Sequence, residues 1–275
     1  MQIKTLTKPF LRWAGGKTWL TKQLKEIIPQ KFGDYYEPFL GGASVFIHLQ
    51  NERRIKNKAY LSDANSRLIN AYKALRDKPE YLFEHLRKYK NSDEIYYRER
   101  GKEYDDHIKE AARFIFLNRT SFNGIYRENL DGVYNVPYGY KNYKVLFDFE
   151  NMRKVSVFLK NSFLADLDFE KLLKKAKRND FIFIDPPYTV AHENNGFIKY
   201  NQKIFSWEDQ VRLRNVVEEL KNRGVFYVVT NAYHKSIKDL YKGVSPHMKV
   251  ERYSVIGGAQ AKREKYHEIL FTNIL

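Results

Sequence analysis

Apolar residues along the chain form short runs that alternate with amphipathic stretches. Residues from about 35 to 74 predict a strand, a glycine turn, a helix, a second strand and a second helix, in that order. Gly41 and Gly42 follow the first strand, and Asp63 follows the second. Strands that alternate with helices in this way indicate a parallel sheet covered by helices.

The same alternation resumes near Ser162. Residues 181–184 (FIFI) form an unbroken apolar run, which predicts a strand buried on both faces. Ser206 and Asp209 have the spacing of a capping box, so a helix is expected to begin there and to end before Gly224. The next strand is expected at 225–229, and segments 250–255 and 268–272 are expected to close the sheet as an antiparallel pair. The apolar face of the predicted helix consists of Leu213, Val216, Val217 and Leu220.

Residues from about 77 to 149 have a different character. Charged helices lead to an amphipathic segment at 111–117, which is followed by a glycine- and asparagine-rich stretch at 118–141. Asn129 to Gly132 lie between two short apolar pairs, an arrangement that predicts a hairpin turn. This region is therefore predicted to be a module inserted into the sheet domain.

Composition narrows the class of protein. The chain has 275 residues, a net charge of +16 and no cysteine, and 43% of its residues are hydrophobic. The absence of cysteine excludes disulfides, thiolate metal sites and the cysteine-ligated zinc deaminases. The positive charge favours a nucleic-acid partner, although an A+T-rich genome also enriches lysine. No apolar run is long enough to span a bilayer and no signal peptide is recognisable, so a cytoplasmic, nucleoid-associated protein is expected.

The segment 185–188 (DPPY) directly follows the predicted buried strand 181–184. Ligands of open α/β sheets bind at the carboxyl ends of strands, so this is a suitable place for a site. The Asp185 carboxylate and the Pro186 carbonyl can both accept hydrogen bonds from one amino group, and Tyr188 offers a face on which a base can stack. A simple proline turn with a solvated aspartate explains the same four residues.

Residues 15–18 (GGKT) raise the alternative of a phosphate-binding P-loop. That motif requires a glycine five positions before Gly16, where this chain has Leu11. No strand is predicted before it, so the P-loop interpretation is rejected.

Four segments in order resemble the Dam-type (D12 class, alpha group) DNA adenine-N6 methyltransferases, in particular the GATC-specific members. They are residues 10–17 (FLRWAGGK), 37–46 (EPFLGGASVF), 62–65 (SDAN) and 185–188 (DPPY). The resemblance implies an α/β fold with a Rossmann-like S-adenosylmethionine-dependent methyltransferase sheet. It also implies an inserted, mainly helical target-recognition domain that carries a β-hairpin. Residues 1–70 and 150–275 would form the catalytic domain, and residues 71–149 the recognition domain.

The resemblance also implies a cofactor site and a catalytic site. The cofactor is expected to be S-adenosylmethionine, converted to S-adenosylhomocysteine, with no metal. Asp185, Pro186 and Tyr188 are the expected catalytic residues, and methyl transfer is expected to be direct, without a covalent enzyme intermediate. Asp168 is an alternative to Asp166 in the cofactor set. The expected cofactor-binding residues are Trp13, Lys17, Phe39, Gly41, Gly42, Asp63, Asp166 and Asp185.

Two further segments, 117–127 (LNRTSFNGIYR) and 135–139 (NVPYG), look like the recognition hairpin of the GATC-methylating members. Double-stranded DNA is therefore the expected partner, with the target adenine flipped out of the helix. An ordinary aromatic-rich surface hairpin is the competing interpretation. The expected DNA-binding residues are Arg12, Arg119, Phe122, Asn123, Ile125, Arg127, Pro137 and Lys141.

Other functions stay open at this stage. Related enzymes with similar hairpins can read a different or longer site, and a cognate restriction endonuclease acting on the same site is a possible partner. Cytosine-amine methyltransferases share the fold, but their motif has Ser where this chain has Asp185. RNA or a protein glutamine is a less favoured substrate. A catalytically inactive DNA-binding protein of the same fold is the alternative from another class.

Overall fold

The computed structural model describes residues 6–23, 27–129, 132–190, 205–253 and 265–274. The strands in these ranges are β1 (Tyr35–Glu37), β2 (Ala59–Ser62), β3 (Ser162–Ala165), β4 (Phe181–Ile184), β5 (Phe226–Ala232), β6 (His247–Tyr253) and β7 (Lys265–Thr272). The helices are α1 (Ser44–Asn51), α2 (Ser66–Asp77), α3 (Pro79–Leu86), α4 (Asp93–Arg100), α5 (His107–Thr120), α6 (Phe149–Leu159), α7 (Phe169–Leu173), α8 (Trp207–Asn222) and α9 (Lys235–Leu240).

The chain divides into two compact units. The first comprises residues 1–21, 41–54 and 63–166, and the second comprises residues 22–40, 55–62 and 167–275. The first unit contains the six helices α1 to α6 among its described residues, together with strand β3. The division into catalytic segments 1–70 and 150–275 and a recognition segment 71–149 stays a prediction.

The second unit is built on a mixed sheet. Its strands lie in the order β2-β1-β4-β5-β7-β6, and β2, β1, β4 and β5 run parallel. Strands β6 and β7 pair antiparallel with each other, and β7 also pairs antiparallel with β5. The predicted parallel sheet closed by an antiparallel pair is confirmed, although residues 254–255 of the predicted last segment lie outside the described residues. The protein therefore has the predicted α/β, Rossmann-like architecture.

Strand β4 shows why this sheet forms. All four of its residues, Phe181 to Ile184, are buried, as expected for a strand covered on both faces. Helix α8 contacts β5, and its buried positions include the predicted apolar face of Leu213, Val216, Val217 and Leu220. The predicted capping box is also confirmed, because the Ser206 hydroxyl accepts from the Asp209 backbone and the Asp209 carboxylate accepts from the Ser206 backbone.

The first unit is organised around α5. Every residue from 111 to 118 is buried, and α2, α3 and α4 all contact this helix. Its start is fixed by Asp106, whose carboxylate accepts from the backbone N–H groups of Ile108 and Lys109. Among the described residues, no helix combines the length and apolar character needed to cross a membrane.

Candidate active site and nucleic-acid interface

The predicted catalytic turn lies directly after β4 in the second unit. Pro186 is buried, whereas Asp185 and Tyr188 are half-buried. The Thr230 hydroxyl on β5 donates to Asp185 Oδ1 at 2.5 Å, and the Tyr188 hydroxyl donates to Glu268 Oε2 on β7 at 2.6 Å. The interpretation of a loose proline turn with a solvated aspartate does not fit these contacts, because the carboxylate and the ring are both held by buried partners.

A second pair of buried polar side chains supports the same turn. The Gln210 amide on α8 donates to the Pro187 carbonyl at 3.5 Å, and the Asn231 amide on β5 donates to Gln210 Oε1 at 3.0 Å. Gln210 and Asn231 are both fully buried. Buried amides are tolerated only when their hydrogen bonds are satisfied, so this pair makes the turn part of the core.

Sequence reasoning missed Thr230, Asn231 and Glu268. A signal for them was present, since Thr230 and Asn231 interrupt an otherwise apolar strand, and Glu268 directly precedes the apolar run Ile269 to Phe271. A polar residue inside such a strand is buried and therefore needs a specific partner. The identity of that partner could be found only from the fold.

The glycine turn belongs to the first unit and packs against Trp13. Gly41 has a φ of +45°, and a Cβ placed on it would lie 2.7 Å from Trp13 Cδ1. The Gly41 backbone N–H donates to Asp63 Oδ2 at 3.0 Å, and the Tyr72 hydroxyl donates to the Gly41 carbonyl at 2.9 Å. Only glycine allows this backbone conformation and this close approach together. Trp13, Gly41, Gly42 and Asp63, all predicted to bind cofactor, are thus brought together.

Asp63 is fixed as an acceptor. Its two oxygens accept from the backbone N–H groups of Gly41 and Asn65, both at 3.0 Å. Burial raises the pKa of Asp63, while hydrogen bonds from the backbone of Gly41, Asn65 and Ala64 act in the opposite direction. A carboxylate held in this way is suited to accept hydrogen bonds from the hydroxyl groups of a ribose. The residues present therefore fit the sugar of a nucleoside-containing cofactor.

Lys17 and Trp13 have local roles as well. Lys17 is only 3% exposed, and its ammonium donates to the Gly15 carbonyl at 2.9 Å. The Trp13 ring stacks on Tyr126 with the ring centroids 5.6 Å apart. Tyr126 lies inside the segment predicted to read DNA, so the N-terminal motif and that segment are in direct contact.

The remaining predicted cofactor residues differ in their surroundings. In the second unit Phe39 stacks on Phe169, with the ring centroids 5.5 Å apart. In the first unit Asp166 is exposed and lines a cleft of about 540 Å³ together with Asn70 and Lys73. Among the described residues, no group of three or more histidine, aspartate or glutamate side chains is arranged to hold a metal ion.

The alternative residue Asp168 has a structural task. Its carboxylate caps α7 by accepting from the Glu170 backbone at 3.0 Å, and it also pairs with Arg212 at 3.0 Å. The sequence left Asp166 and Asp168 open for the same role, and the choice between them stays a prediction.

The predicted hairpin in the first unit forms between residues 121–129 and 133–139. Antiparallel bridges join Ser121 to Tyr138 and Glu128 to Tyr134. At the predicted turn, Asn129 N–H donates to the Val133 carbonyl at 2.9 Å, while Leu130 and Asp131 lie outside the described residues. Tyr134, Val136 and Tyr138 are buried in an aromatic cluster with residues of α4 and α5.

The outward side of the hairpin carries four of the eight predicted DNA-binding residues. Phe122 is 51% exposed, and Asn123, which has a φ of 54°, is exposed beside it. Pro137 and Arg127 are exposed, and Arg127 donates to Asn135 Oδ1 at 2.8 Å. Ile125 is half-buried. Exposed and buried positions alternate along 133–138, as expected for an extended strand.

Arg12 is held against this hairpin. The Asn118 side chain accepts from the Arg12 backbone N–H at 2.9 Å and donates to the Arg12 carbonyl at 2.6 Å. Gly124 has a φ of +65°, and a Cβ placed on it would lie 2.5 Å from Arg12 Cβ. The turn that displays Phe122 and Asn123 therefore closes directly over Arg12.

Arg12, Arg119 and Lys141 form a positive cluster. The pKa of Lys141 is lowered by burial and, to a smaller extent, by the positive charges of Arg12 and Arg119. Arg119, which is predicted to bind DNA, also has partners within the protein. It is half-buried, donates to the Leu146 carbonyl at 2.8 Å, and stacks its guanidinium on the Tyr143 ring at 4.3 Å. Such a cluster of positive charges attracts a polyanion.

Comparison with known proteins places the chain in a family. A sequence model of the D12 class N6 adenine-specific DNA methyltransferases matches residues 13–255. The turn 185–188 and the glycine loop both lie within this range. The chain belongs to the D12 class N6 adenine-specific DNA methyltransferase family.

Three relatives illustrate the similarity. The Type II methyltransferase M1.LlaDCHI of Lactococcus lactis subsp. cremoris is 38% identical, covering 97% of this chain and 95% of its own length. The Type II methyltransferase M.MjaIII of Methanocaldococcus jannaschii is 33% identical, covering 97% and 99%. The DNA adenine methylase of Escherichia coli K12 is 29% identical, covering 96% and 94%. Among solved structures, a precorrin-6y C5,15-methyltransferase of Geobacter metallireducens matches with a TM-score of 0.40 at 10% identity.

Membership of this family makes the protein a DNA adenine-N6 methyltransferase and implies S-adenosylmethionine as its methyl donor. The recognition of this family from four sequence segments is confirmed. The roles of individual residues and the DNA sequence that is read belong to the proposal below.

Proposed function

We propose that the protein methylates the adenine of GATC in double-stranded DNA after flipping that base out of the helix. The observation that carries this proposal is the hairpin of the first unit. It turns Phe122, Arg127 and Pro137 outward and closes over Arg12. An exposed aromatic residue among cations is the combination expected of a surface that enters a duplex and separates a base from its neighbours.

In the proposed catalytic step, Asp185 and Pro186 hold the target amine. The two N–H groups of that amine donate hydrogen bonds to the Asp185 carboxylate and the Pro186 carbonyl, while Tyr188 stacks on the ring. This arrangement fixes the direction of the nitrogen lone pair, and positioning is the main source of catalysis. The hydrogen bonds from Thr230 to Asp185 and from Tyr188 to Glu268 support this role, because they restrict both groups before substrate arrives.

Cofactor binding is proposed for Trp13, Lys17, Gly41, Gly42, Asp63 and Asp166, with Phe39 and Asp185. When bound, S-adenosylmethionine supplies an electrophilic methyl group. Asp63 would accept from the ribose hydroxyls, and Trp13 and Lys17 would hold the methionine end. Asp166 would accept from the adenine amine, for which its exposure makes it better suited than the ion-paired Asp168.

Sequence reading is proposed for the hairpin and Arg12. Arg127 and Arg12 would each donate to guanine, and Ile125 and Pro137 would contact a thymine methyl group. Phe122 and Asn123 would fill the space that the flipped adenine leaves. Lys141 and Arg119 would contact phosphates, and Arg119 would have to do so while keeping its bond to the Leu146 carbonyl.

A different or longer DNA site is a second candidate, because two of the relatives carry Type II methyltransferase names. The same observation supports a cognate restriction endonuclease as a partner. A DNA-binding protein without activity is the candidate from another class. It would show no thermal shift with S-adenosylmethionine or S-adenosylhomocysteine.

The test is methyl transfer from labelled S-adenosylmethionine to two duplexes that differ only in the GATC adenine. Incorporation into the GATC duplex alone, recovered as N6-methyladenine, supports the site and the chemistry. If neither duplex is methylated but a library of random duplexes is, the recognition sequence is not GATC, and the methylated members of the library give the site. If no DNA is methylated and no cofactor is bound, the proposal that the protein is an active methyltransferase is refuted.

A further inference from the structure

Two buried polar residues on neighbouring strands hold the functional ends of the 185–188 turn. Thr230 of β5 is fully buried and donates to Asp185 Oδ1, and Glu268 of β7 is 1% exposed and accepts from the Tyr188 hydroxyl at 2.6 Å. The antiparallel register places Thr230 opposite Leu270 and Ala232 opposite Glu268. The two groups thus lie on two directly paired strands of the second unit.

Glu268 is an unusual residue at this position, because it is buried among apolar side chains. Its strand neighbours Ile269, Leu270 and Phe271 are buried and apolar. A carboxylate is costly to bury unless its hydrogen bonds are satisfied, and an apolar residue would stabilise such a position more simply. Core packing alone therefore does not explain a carboxylate aimed at the hydroxyl of Tyr188.

The charge state keeps this contact in place. Burial, followed by the negative charges of Glu268 and Asp185, raises the pKa of Tyr188 well above its usual value. Tyr188 therefore stays protonated at neutral pH and remains the donor. At 2.6 Å, the hydrogen bond from the Tyr188 hydroxyl to Glu268 lies at the short end of the range for O–H···O hydrogen bonds in proteins.

We propose that Glu268 and Thr230 are positioning residues for methyl transfer, with Glu268 fixing the plane of the Tyr188 ring and Thr230 fixing the Asp185 carboxylate. The inference rests on the proposed function, in which that ring stacks on the flipped base and that carboxylate holds its amine. Neither residue touches the substrate. Each acts through the side chain that it anchors, so each should affect the rate of the chemical step and leave binding intact.

The experiment compares single-turnover methyl transfer, with duplex and S-adenosylmethionine saturating, in four variants at the anchors. Glu268→Ala removes the acceptor, Glu268→Gln keeps an acceptor oxygen, Thr230→Val removes the hydroxyl and Thr230→Ser keeps it. Tyr104→Phe is the matched control, because it removes a tyrosine–glutamate hydrogen bond of 2.8 Å to Glu99, within the first unit and outside the 185–188 turn. Rates are expressed per active site, counted by S-adenosylhomocysteine binding.

The rate should fall by about 10- to 100-fold in Glu268→Ala and Thr230→Val, the loss typical of a misplaced reacting group. Glu268→Gln and Thr230→Ser should stay within about threefold of wild type, because they keep the hydrogen bond. The cofactor and DNA dissociation constants should not change in any of these variants. Tyr104→Phe should lose stability without losing rate.

A second measurement keeps the proposal falsifiable if Glu268→Ala does not fold. Tyr188→Phe keeps the ring and removes only the hydroxyl, so it should slow the reaction in the same way. Adding Glu268→Gln to Tyr188→Phe should then change the rate by less than about twofold, because the shared contact is already lost. In a duplex with 2-aminopurine at the target position, fluorescence should show weaker stacking of the extrahelical base in Tyr188→Phe and in the double variant than in wild type.

The outcomes separate two failures. If wild type methylates DNA and Tyr188→Phe and Thr230→Val retain its rate per active site, the positioning role is wrong and the two residues only stabilise the core. If wild type transfers methyl groups to no duplex, the proposed function itself is wrong, and with it the substrate on which these residues would act.

Discussion

Gly41 offers a test of how tightly the glycine turn is built against Trp13. Replacing it with alanine places a Cβ 2.7 Å from Trp13 Cδ1 and 3.0 Å from Trp13 Nε1, at a backbone φ of +45°. The left-handed conformation costs an L-residue roughly 1–2 kcal/mol, and a buried methyl group without space costs about 1–3 kcal/mol more. Gly41→Ala should therefore lower the free energy of unfolding by about 2–5 kcal/mol.

The same change should weaken cofactor binding. Relief of the clash requires Trp13 or the Gly41 backbone to move, and the backbone N–H of Gly41 is one of the two donors that hold Asp63, together with that of Asn65. Displacement of either group by a few tenths of an ångström disturbs the proposed ribose and methionine contacts. The dissociation constant of S-adenosylhomocysteine, measured by titration calorimetry, should rise at least tenfold, which corresponds to about 1.4 kcal/mol.

Gly243→Ala supplies the matched control. Gly243 also has a positive φ, +79°, but a Cβ there meets nothing within 4 Å. It should show only the backbone cost of about 1–2 kcal/mol in urea unfolding, with unchanged cofactor affinity. Equal losses of stability in the two variants, with wild-type affinity in Gly41→Ala, would refute the packing argument.

Three further predictions concern catalysis, recognition and pH. Asp185→Ala should lower turnover at least about 100-fold while filter binding of DNA stays near wild type; near-normal turnover would contradict its role. Arg127→Ala should reduce discrimination at one base pair by about 1–3 kcal/mol. Lys141→Ala should weaken binding to all duplexes equally and lower the slope of log affinity against log salt concentration by about one. The reverse pattern would mean that Lys141 reads a base and Arg127 contacts a phosphate. Because the pKa of Tyr188 is raised in the folded protein, its hydroxyl contributes fully to the free energy of unfolding below pH about 10, and this contribution is lost as the pH rises further. In urea titrations at alkaline pH, Tyr188→Phe should therefore lose less stability than wild type does. Parallel losses in the two proteins would show that this hydroxyl ionises freely.

Much of this architecture follows from residue pattern alone. The buried run Phe181 to Ile184, the capping box at Ser206 and the antiparallel closing strands were all predictable, because each depends on local periodicity or on a short polar signal. The hairpin was predictable for the same reason, since turn residues lie between apolar pairs.

The supporting contacts were not predictable in this way. Glu268 is 80 residues from Tyr188 along the chain, and Thr230 is 45 residues from Asp185. Their pairing depends on which strands become neighbours in the sheet, and no local pattern specifies that order. Arg119 shows the same limit. Its position in a recognisable motif predicts a DNA contact, whereas its partners at Tyr143 and Leu146 could be found only in three dimensions.

Buried and exposed residues alternate along the hairpin, and the two sets have different roles. Tyr134, Val136 and Tyr138 face the aromatic cluster and specify how the segment folds, whereas Val133 and Pro137 face outward and are free of that task. Substitutions on the outer face can accordingly accumulate without disturbing the scaffold beneath. New sequence preferences should therefore be reachable by exchanging a small outward set of side chains, in evolution or in the laboratory, without redesign of the methyl-transfer machinery.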